Sequence, residues 1–377
     1  MNARLEIKAG ARRILEAVAE EALRRKLPVY LVGGAVRDFV MGRATRDLDF
    51  TVEGDPKPLV DFCANLIRAE AVPFDSFGTW RLAGSKKWEI DFATTRSETY
   101  PFPASLPVVQ TPVAIEEDLR RRDFTVNAMA LKLSGGVFSE VLDPFGGLQD
   151  IASRKIEILH ERSFRDDPTR VFRAARYAGR LQFSCSPQVE KLAREALKAG
   201  YPQKLSRHRL LSEMLKILSE ENPTPIFFRL KKWGYLDLLD PRLKIPPSSR
   251  WRGLNAYARL GVWAFSLGLE AENFIASWPI EARASSEILM ALKIARIQES
   301  PRVLLSDLSR DILRALFPRK MKYAFETLKI SGSDLIQKGM SPGPEMGRIL
   351  QKAARLQWRG KIKSKREAIL WLRRLRK

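Results

Sequence analysis

The stretch that decides the fold, residues 31–50, reads LVGGAVRDFVMGRATRDLDF. An apolar run ends at Gly33 and Gly34, and the next apolar segment contains Asp47 and Asp49, two residues apart. Side chains at this spacing on a β-strand point to the same side, so the two carboxylates can share a divalent metal ion. A glycine turn between a strand and a helix lets backbone N–H groups approach a phosphate. The stretch therefore predicts a site for a metal-bound nucleoside triphosphate.

The turn differs from a Walker loop, because no G-K-[ST] follows the glycines. Arg37 lies four residues after Gly33 and can reach a phosphate, whereas we expect Asp38 to orient the loop. The alternatives are a tight turn without a ligand and two surface aspartates on an edge strand. The combination of the turn, an arginine and the carboxylate pair favours the nucleotide site.

The charge of the chain is unusual for a soluble globular protein. Its 377 residues include 66 Lys and Arg against 44 Asp and Glu, a formal net charge of +22. This length predicts two or more domains. An excess of this size favours a polyanionic partner, because each neutralised phosphate releases condensed counterions. A solvated basic surface is the alternative.

Cysteine and histidine usage excludes several classes of site. Cys63 and Cys185 lie far apart without ligand spacing, which predicts neither a disulfide framework nor a zinc site and fits a reducing, cytoplasmic compartment. His160 and His208 are the only histidines, so we do not expect a histidine general base or a cluster of histidine ligands. Residues 1–26 lack a signal-peptide core, and no apolar run of about 18 residues predicts a membrane span.

The hydrophobic pattern predicts strands alternating with helices up to about residue 145, and almost only helices from residue 165 onward. The segment 98–119 is rich in proline and is expected to be a constrained loop rather than a strand. Residues 241–250 are expected to be a linker. The elements predicted in the first part are helices over 10–26, 36–42 and 55–70, strands over 27–35 and 46–54, and a hairpin over 80–96 turning at Gly84 and Ser85.

Several motifs occur in an order that resembles a known family. LVGGAVRD followed by DLDF resembles the nucleotidyltransferase head shared by class II CCA-adding enzymes and bacterial poly(A) polymerases. The resemblance continues through RRDFTVNAMA at 121–130, DPFGGLQD at 143–150, DDPTRVFRAARYAGR at 166–180 and ISGSDLIQKGMSPGPEMGRIL at 330–350. It implies an α/β head with a polymerase-β-like mixed sheet and helices, followed by an all-α neck, body and tail. The implied bounds are head 1–150, neck 151–222, body 223–325 and tail 326–377.

The resemblance also implies roles for residues of the head. Asp47 and Asp49 would be the catalytic ligands of Mg²⁺. Asp91 is a candidate for a further acidic residue, with a structural role as the alternative. The implied nucleotide-binding residues of the head are Gly33, Gly34, Arg37 and Arg122, with Asp123 and Asn127 shaping the ribose pocket.

In the neck, the resemblance implies that Asp167 and Arg170 read the base in place of a nucleic-acid template. A carboxylate accepts from an exocyclic amine and a guanidinium donates to a ring nitrogen, so such a pair favours C and A over U and G. Arg173 and Arg176 would contact phosphate or support the other side chains. Asp166 replaces the glutamate that the family usually carries before this aspartate.

The implied reaction is attack of a tRNA 3′-hydroxyl on the α-phosphate of CTP or ATP, with Mg²⁺-dependent release of pyrophosphate, to build CCA or part of it. The alternatives are an enzyme that adds only A or only CC, a poly(A) polymerase, and a non-catalytic RNA-binding protein on the same fold. The basic G-[RK]-[RK]-F pattern of the poly(A) polymerases is missing, and both Asp47 and Asp49 are present.

The end of the chain is strongly basic, since residues 351–377 hold 11 Lys and Arg and a single Glu. Trp358 and Trp371 alternate with these cations. This pattern favours contact with the tRNA backbone. A solubilising amphipathic helix is the alternative.

Overall fold

The computed structural model describes residues 5, 7–73, 78–85, 87–134, 137–318 and 323–375. The chain forms two compact units, Met1–Leu205 and Ser206–Lys377. The first unit contains the whole predicted head and the predicted neck as far as residue 205. The finer division into head, neck, body and tail stays a prediction.

The first unit is built on a seven-stranded mixed sheet. The strands of the unit are β1 (Val29–Val32), β2 (Asp47–Val52), β3 (Glu70–Pro73), β4 (Trp80–Ala83), β5 (Glu89–Thr94), β6 (Ser97–Thr99), β7 (Val108–Gln110), β8 (Ala130–Ser134), β9 (Val137–Leu142), β10 (Lys155–Ile156) and β11 (Ser184–Cys185). The strands of the sheet lie side by side in the order β3-β4-β5-β2-β1-β8-β9. Its helices are α1 (Ala9–Arg25), α2 (Gly34–Val40), α3 (Lys57–Ile67), α4 (Ile115–Arg120), α5 (Gly147–Ala152), α6 (Ser163–Asp166), α7 (Thr169–Leu181) and α8 (Pro187–Lys198).

The centre of the sheet follows from the apolar runs of the sequence. Every residue of β1 is buried, and β1 pairs antiparallel with both β2 and β8. Strand β2 pairs in parallel with β5, and the rings of Phe50 and Phe92 on these two strands stack at 4.7 Å. The amphipathic α1 buries Leu15 and Val18 completely in the same core. The predicted fold of the head, a mixed sheet with helices, is confirmed.

The proline-rich segment differs from the prediction. Strands β6 and β7 pair antiparallel, with Ser97 opposite Gln110 and Thr99 opposite Val108, so the expectation of a loop without strands was wrong for these residues. The prolines lie outside the two strands, and the backbone N–H groups of both strands remain available for pairing. A short parallel pair, β10 with β11, also lies within the neck that was predicted to be all-α.

The described part of the second unit is helical. Its helices are α9 (Arg207–Ser219), α10 (Thr224–Lys232), α11 (Ala256–Ala264), α12 (Ala271–Ala276), α13 (Ala282–Ile297), α14 (Asp307–Leu316), α15 (Gly332–Ile336), α16 (Pro344–Trp358) and α17 (Lys365–Leu375). The predicted linker at 241–250 lies inside this unit, since the boundary between the units falls at residue 205. The segment buries Leu243 and ends in a 3₁₀ turn at Ser248–Arg250. None of the described helices is long and apolar enough to cross a membrane.

The two tryptophans near the end of the chain differ in burial. Trp358 is only 1% exposed, and its ring packs edge-on against Phe317 and Phe325. Trp371 is half-buried against the apolar cluster of the tail. A fully buried ring cannot touch a ligand, so Trp358 takes no part in the predicted contact of the basic tail with the tRNA backbone, which stays a prediction.

Candidate active site

The carboxylate pair lies at the start of β2. Asp47 and Asp49 point to one side of the strand, as their spacing predicts, while Leu48 and Phe50 point into the core. In the parallel neighbour β5, Glu89 lies opposite Asp47 and Asp91 lies opposite Asp49. Two adjacent strands thus bring four acidic residues to one edge of the sheet.

Burial first, and then the crowding of negative charge, change the ionisation of both aspartates. Burial, followed by the charge of Asp47, raises the pKa of Asp49 to about 7, and the guanidinium of Arg122 opposes this shift. The pKa of Asp47 is also raised, by desolvation first and by the charges of Glu89 and Asp91 next, although its side chain is open to solvent. A divalent cation would relieve this repulsion.

Asp91 has a partner of its own. Arg81 on β4 donates from Nε and Nη2 to the two carboxylate oxygens of Asp91, at 2.9 and 2.7 Å. The paired arginine offsets the charge of Asp91, which favours the structural alternative for this residue. Glu89 is exposed opposite Asp47, and its role was not singled out from the sequence.

The glycine turn lies against the carboxylate pair. Gly33 has φ +69°, and a Cβ on it would lie 2.9 Å from Nη1 of Arg122 and 4.0 Å from Oδ2 of Asp49. Its backbone N–H donates to the Met129 carbonyl at 3.2 Å. A side chain at this position would therefore be strained and would collide with Arg122. Three predicted site residues, Gly33, Asp49 and Arg122, meet at this turn.

Arg37 is buried rather than extended into solvent. Its Nη1 donates to Oδ1 of Asn127 at 2.6 Å, and its Nε donates to Asp38 at 2.9 Å. Asp38 thus orients Arg37, which in turn packs close to the backbone of Gly34. Arg37, which is predicted to bind a phosphate, is therefore held in place by Asp38 and Asn127.

Asn127 continues the network to α7. Its Nδ2 donates to Asp123 at 3.0 Å, and Arg173 donates to the other oxygen of Asp123 from Nε and Nη2, at 2.8 and 2.5 Å. Burial, the largest influence, favours protonation of Asp123, but the charge of Arg173 and these bonds hold its pKa below the ordinary value. Asp123 and Arg173 therefore form a partly buried ion pair beside Asn127.

Three of the predicted arginines gather around one aromatic ring. Tyr177 on α7 has the guanidinium carbons of Arg37, Arg173 and Arg176 at 5.5, 5.6 and 4.7 Å from its ring centre. Cations at this distance from a ring face are attracted by its quadrupole. The ring of Tyr177 itself rests edge-on against Phe124. The cluster concentrates positive charge, and the sequence pattern gave no indication of the role of Tyr177.

The predicted base-reading pair lies where α6 meets α7. Asp167 accepts from the backbone N–H and the hydroxyl of Thr169, at 2.9 and 2.6 Å, which satisfies the first backbone N–H of α7. Arg170 is buried, and its two Nη atoms donate to Ser163 at 3.0 Å and to the Arg121 carbonyl at 2.7 Å. The pair is held rigidly, and its role in reading a base stays a prediction.

Comparison with known proteins shows the family to which the chain belongs. Residues 29–157 match the family described as poly A polymerase head domain, and residues 288–372 match tRNA nucleotidyltransferase domain 2 (putative). The chain is 30% identical over 342 residues to a CC-adding tRNA nucleotidyltransferase of Deinococcus radiodurans, covering 89% of this chain and 86% of that one. The chain belongs to the tRNA nucleotidyltransferase family. The resemblance inferred from the motifs is confirmed.

Other relatives match this chain over only part of their own length. An A-adding tRNA nucleotidyltransferase of Geobacter sulfurreducens is 39% identical over 224 residues, which cover 59% of this chain and 25% of that protein. The matches to three A-adding relatives span a quarter to about half of those proteins.

Solved structures resemble the chain over nearly its whole length. A CCA-adding enzyme in an apo form has a TM-score of 0.73 at 26% identity and covers 98% of this chain and 96% of that one. A Thermotoga maritima CCA-adding enzyme complexed with tRNA has a TM-score of 0.68 at 25% identity and covers 98% of this chain and 97% of that one. The mixed-sheet head and the mostly helical remainder are thus the architecture of CCA-adding enzymes.

Proposed function

We propose that this nucleotidyltransferase extends the 3′ end of tRNA with cytidylate and adenylate from CTP and ATP, without a nucleic-acid template, to build CCA. The observation that carries the proposal is the meeting of Asp49, Gly33 and Arg122 at one turn, beside Asp47. The carboxylates would hold a metal ion and the arginine would bind phosphate in one site, as transfer of a nucleotidyl group requires.

The donor set fits Mg²⁺. Asp47 and Asp49 offer two carboxylates on one side of β2, and among the described residues no set of three or more His, Cys, Asp and Glu side chains is arranged to hold a metal ion. Mg²⁺ prefers one or two carboxylates completed by water and substrate phosphates. When bound, the ion would supply Lewis-acid activation of the attacking hydroxyl and neutralise charge on the leaving pyrophosphate.

The chain's own side chains would position the nucleotide. Arg122 would donate to the triphosphate at the Gly33 turn, and Arg37 and Arg176 would add positive charge from the cluster around Tyr177. Asp123 would keep its hydrogen bonds to Asn127 and Arg173 and so fix the ribose side of the pocket. With no histidine in these contacts, catalysis would rest on positioning and electrostatics.

Asp167 and Arg170 would select the base, by the complementarity of a carboxylate and a guanidinium to the Watson–Crick edges of C and A. Because Asp167 is already bonded to Thr169, and Arg170 to Ser163 and Arg121, the two side chains would offer their remaining donors and acceptors in a fixed arrangement. The basic second unit would hold the tRNA backbone. The match of residues 288–372 to a tRNA nucleotidyltransferase domain favours tRNA over the unstructured RNA of a poly(A) polymerase.

Incorporation by the purified protein on three tRNAs tests the proposal. The tRNAs end before the first C, after the first C and after the second C, and each is incubated with CTP, ATP or both. Extension of all three to CCA is the expected result. No incorporation on any of them would contradict the proposed function and leave a binding protein on the same fold.

A second candidate is an enzyme that adds only the terminal A. The A-adding relatives, one of them 39% identical over 224 residues, favour it. Addition of A to the CC-ended tRNA, with no C added to the shorter ones, would support this candidate. A product that stops at CC would indicate the complementary specialist, as in the Deinococcus relative.

A further inference from the structure

Asp118 is a buried carboxylate beside the candidate site to which the motif analysis assigned no role. It lies on α4, four residues before Arg122, and is fully buried at 0% exposure. An isolated carboxylate in such a place would be costly, so the bonds that it accepts decide what it does.

The carboxylate of Asp118 holds two consecutive arginines. One oxygen accepts from Nε and Nη2 of Arg121 at 3.1 and 2.8 Å, and the other accepts from Nη2 of Arg122 at 2.9 Å. The backbone N–H of Arg96 adds a bond at 3.1 Å. Burial is the largest influence and favours protonation, but the two guanidinium groups hold the pKa of Asp118 below its ordinary value.

Arg122 extends from its hydrogen bond with Asp118 to the glycine turn of the candidate active site. Its Nη2 is held by Asp118, and its Nη1 lies beside Gly33. A Cβ on Gly33 would lie only 2.9 Å from this Nη1 atom. Its Nε–H is buried and has no hydrogen-bond partner among the described residues. A buried donor without a partner calls for an explanation, and an oxygen of a bound phosphate would supply one.

Arg121, the second arginine bound by Asp118, connects this carboxylate to neighbouring segments. Its Nε donates to the Arg96 carbonyl at 3.0 Å and its Nη1 donates to the buried Glu98 on β6 at 3.1 Å. Its own carbonyl accepts from Arg170 at 2.7 Å. The same short segment therefore contacts the β6–β7 hairpin and one member of the predicted base-reading pair.

We propose that Asp118 is the positioning residue that holds the guanidinium of Arg122 against the glycine turn, in the orientation that receives the triphosphate. Asp118 itself does not touch the nucleotide and acts through Arg122. This inference rests on the proposed function. Its physical basis is that a guanidinium held on one edge loses little further freedom when its other donors meet a phosphate.

A double-mutant cycle tests whether Asp118 acts through Arg122. The affinity for ATP is measured by equilibrium binding with Mg²⁺ and without tRNA, for Asp118→Asn, Arg122→Ala and the double variant. Asp118→Asn is expected to weaken ATP binding about tenfold in the unmodified protein and less than about twofold in the Arg122→Ala background. An equal loss in both backgrounds, or no loss in either, would overturn the proposal.

The chain offers a matched control in α1. Glu21 is buried and accepts from Arg24 and Arg25, at i+3 and i+4, as Asp118 does from Arg121 and Arg122. Glu21→Gln should lower the unfolding midpoint and leave the affinity for ATP within about twofold. If Glu21→Gln weakened ATP binding as much as Asp118→Asn, the effect would be general loss of stability, and the proposal would fail.

A second variant keeps the test valid if Asp118→Asn does not fold. Arg122→Lys keeps the positive charge, but an ammonium lacks the fork that bonds Asp118 on one edge and a phosphate on the other. We expect it to weaken ATP binding nearly as much as Arg122→Ala, and an unchanged affinity would contradict the proposal. Absence of tRNA extension by the unmodified protein would contradict the proposed function alone, since ATP binding is measured separately.

Discussion

The two compact units divide the charge of the chain unequally. Residues 206–377 carry 34 Lys and Arg against 16 Asp and Glu, an excess of 18, whereas residues 1–205 carry 32 against 28, an excess of 4. In the first unit, arginines around the site are bonded to buried carboxylates, as Arg173 is to Asp123. In the second, the tail exposes Arg359, Lys361 and Lys363.

The difference indicates a division of labour. Paired charges in a partly buried site orient a small ligand, whereas exposed cations attract a polyanion over a longer range and lose strength in salt. We therefore expect the first unit to determine the rate of transfer and the choice of nucleotide, and the second to determine the affinity for tRNA.

The largest expected effect comes from the carboxylate pair. Replacing Asp47 or Asp49 by Ala should lower incorporation by about a thousand-fold or more, because several kcal/mol of electrostatic stabilisation are lost. The affinity for tRNA should not change. Incorporation of labelled CTP and ATP and a tRNA binding isotherm measure the two quantities. Retained activity in either variant would contradict the metal assignment.

The cations of the tail should affect the affinity for tRNA rather than the rate of incorporation. Changing Arg359, Lys361 and Lys363 together to Gln should weaken tRNA binding about tenfold or more and reduce the salt slope of log affinity by about 2 to 3. The affinity for ATP alone should stay the same. Fluorescence titrations at several salt concentrations measure the slope.

Three exposed cations of the first unit serve as the control for the tail variant. Arg12, Arg13 and Lys26 carry the same charge on or next to α1. If their replacement by Gln weakened tRNA binding as much as the tail variant, the proposed division between the units would be wrong.

Base choice should depend on Asp167. Because Asp167 accepts from the backbone N–H of Thr169 at the start of α7, Asn is the better substitution, since its amide oxygen keeps this hydrogen bond and the negative charge is removed. Asp167→Asn should lower the preference for C and A over U and G about tenfold, with a smaller loss of rate. Competition among the four nucleotides measures the preference. A slower enzyme with unchanged preference would refute the base-reading role.

The neighbouring strand allows a finer comparison. Glu89→Gln should raise the Mg²⁺ concentration for half-maximal incorporation about fivefold, because Glu89 lies opposite Asp47 and adds to the potential that attracts the cation. Asp91→Asn should raise it less, because Arg81 offsets the charge of Asp91. A larger effect of Asp91→Asn would restore Asp91 as the further acidic residue.

The smallest expected effect concerns stability. The pKa of Asp49 is raised from 3.8 to about 7 in the folded state, so the folded protein binds more protons than the unfolded chain between these values. Its contribution to stability is therefore present below pH 4 and is lost as the pH rises toward 7. Without metal, Asp49→Asn should stabilise the protein by about 2 kcal/mol at pH 8 and by less at pH 5. Thermal unfolding at both values checks this, and equal destabilisation at both would contradict it.

Local patterns predicted much of the first unit. The helix at α1, the strand–turn–helix at Gly33 and the shared side of Asp47 and Asp49 follow from periodicity and turn chemistry, and all are found in the structure. The Pro-rich segment was predicted wrongly because composition indicates turns but not which residues between them pair.

Contacts between distant residues could not be predicted in this way. The burial of Trp358 depends on Phe317 and Phe325, and the gathering of arginines at Tyr177 depends on the approach of Arg37 on α2 to Tyr177 on α7. The anchor at Asp118 did leave a signal, since Arg121 and Arg122 follow it at i+3 and i+4. That signal was hidden because the same arginines belong to a motif with an implied role of their own.

Single-turnover incorporation at saturating tRNA tests the division between the units most directly. The unmodified protein, Asp49→Ala and the triple tail variant are each mixed with labelled CTP and ATP at rising tRNA concentrations. The tail variant should regain the unmodified rate once tRNA saturates, whereas Asp49→Ala should stay inactive at every concentration. A tail variant that stays slow at saturation, or an Asp49→Ala variant rescued by more tRNA, would contradict the account.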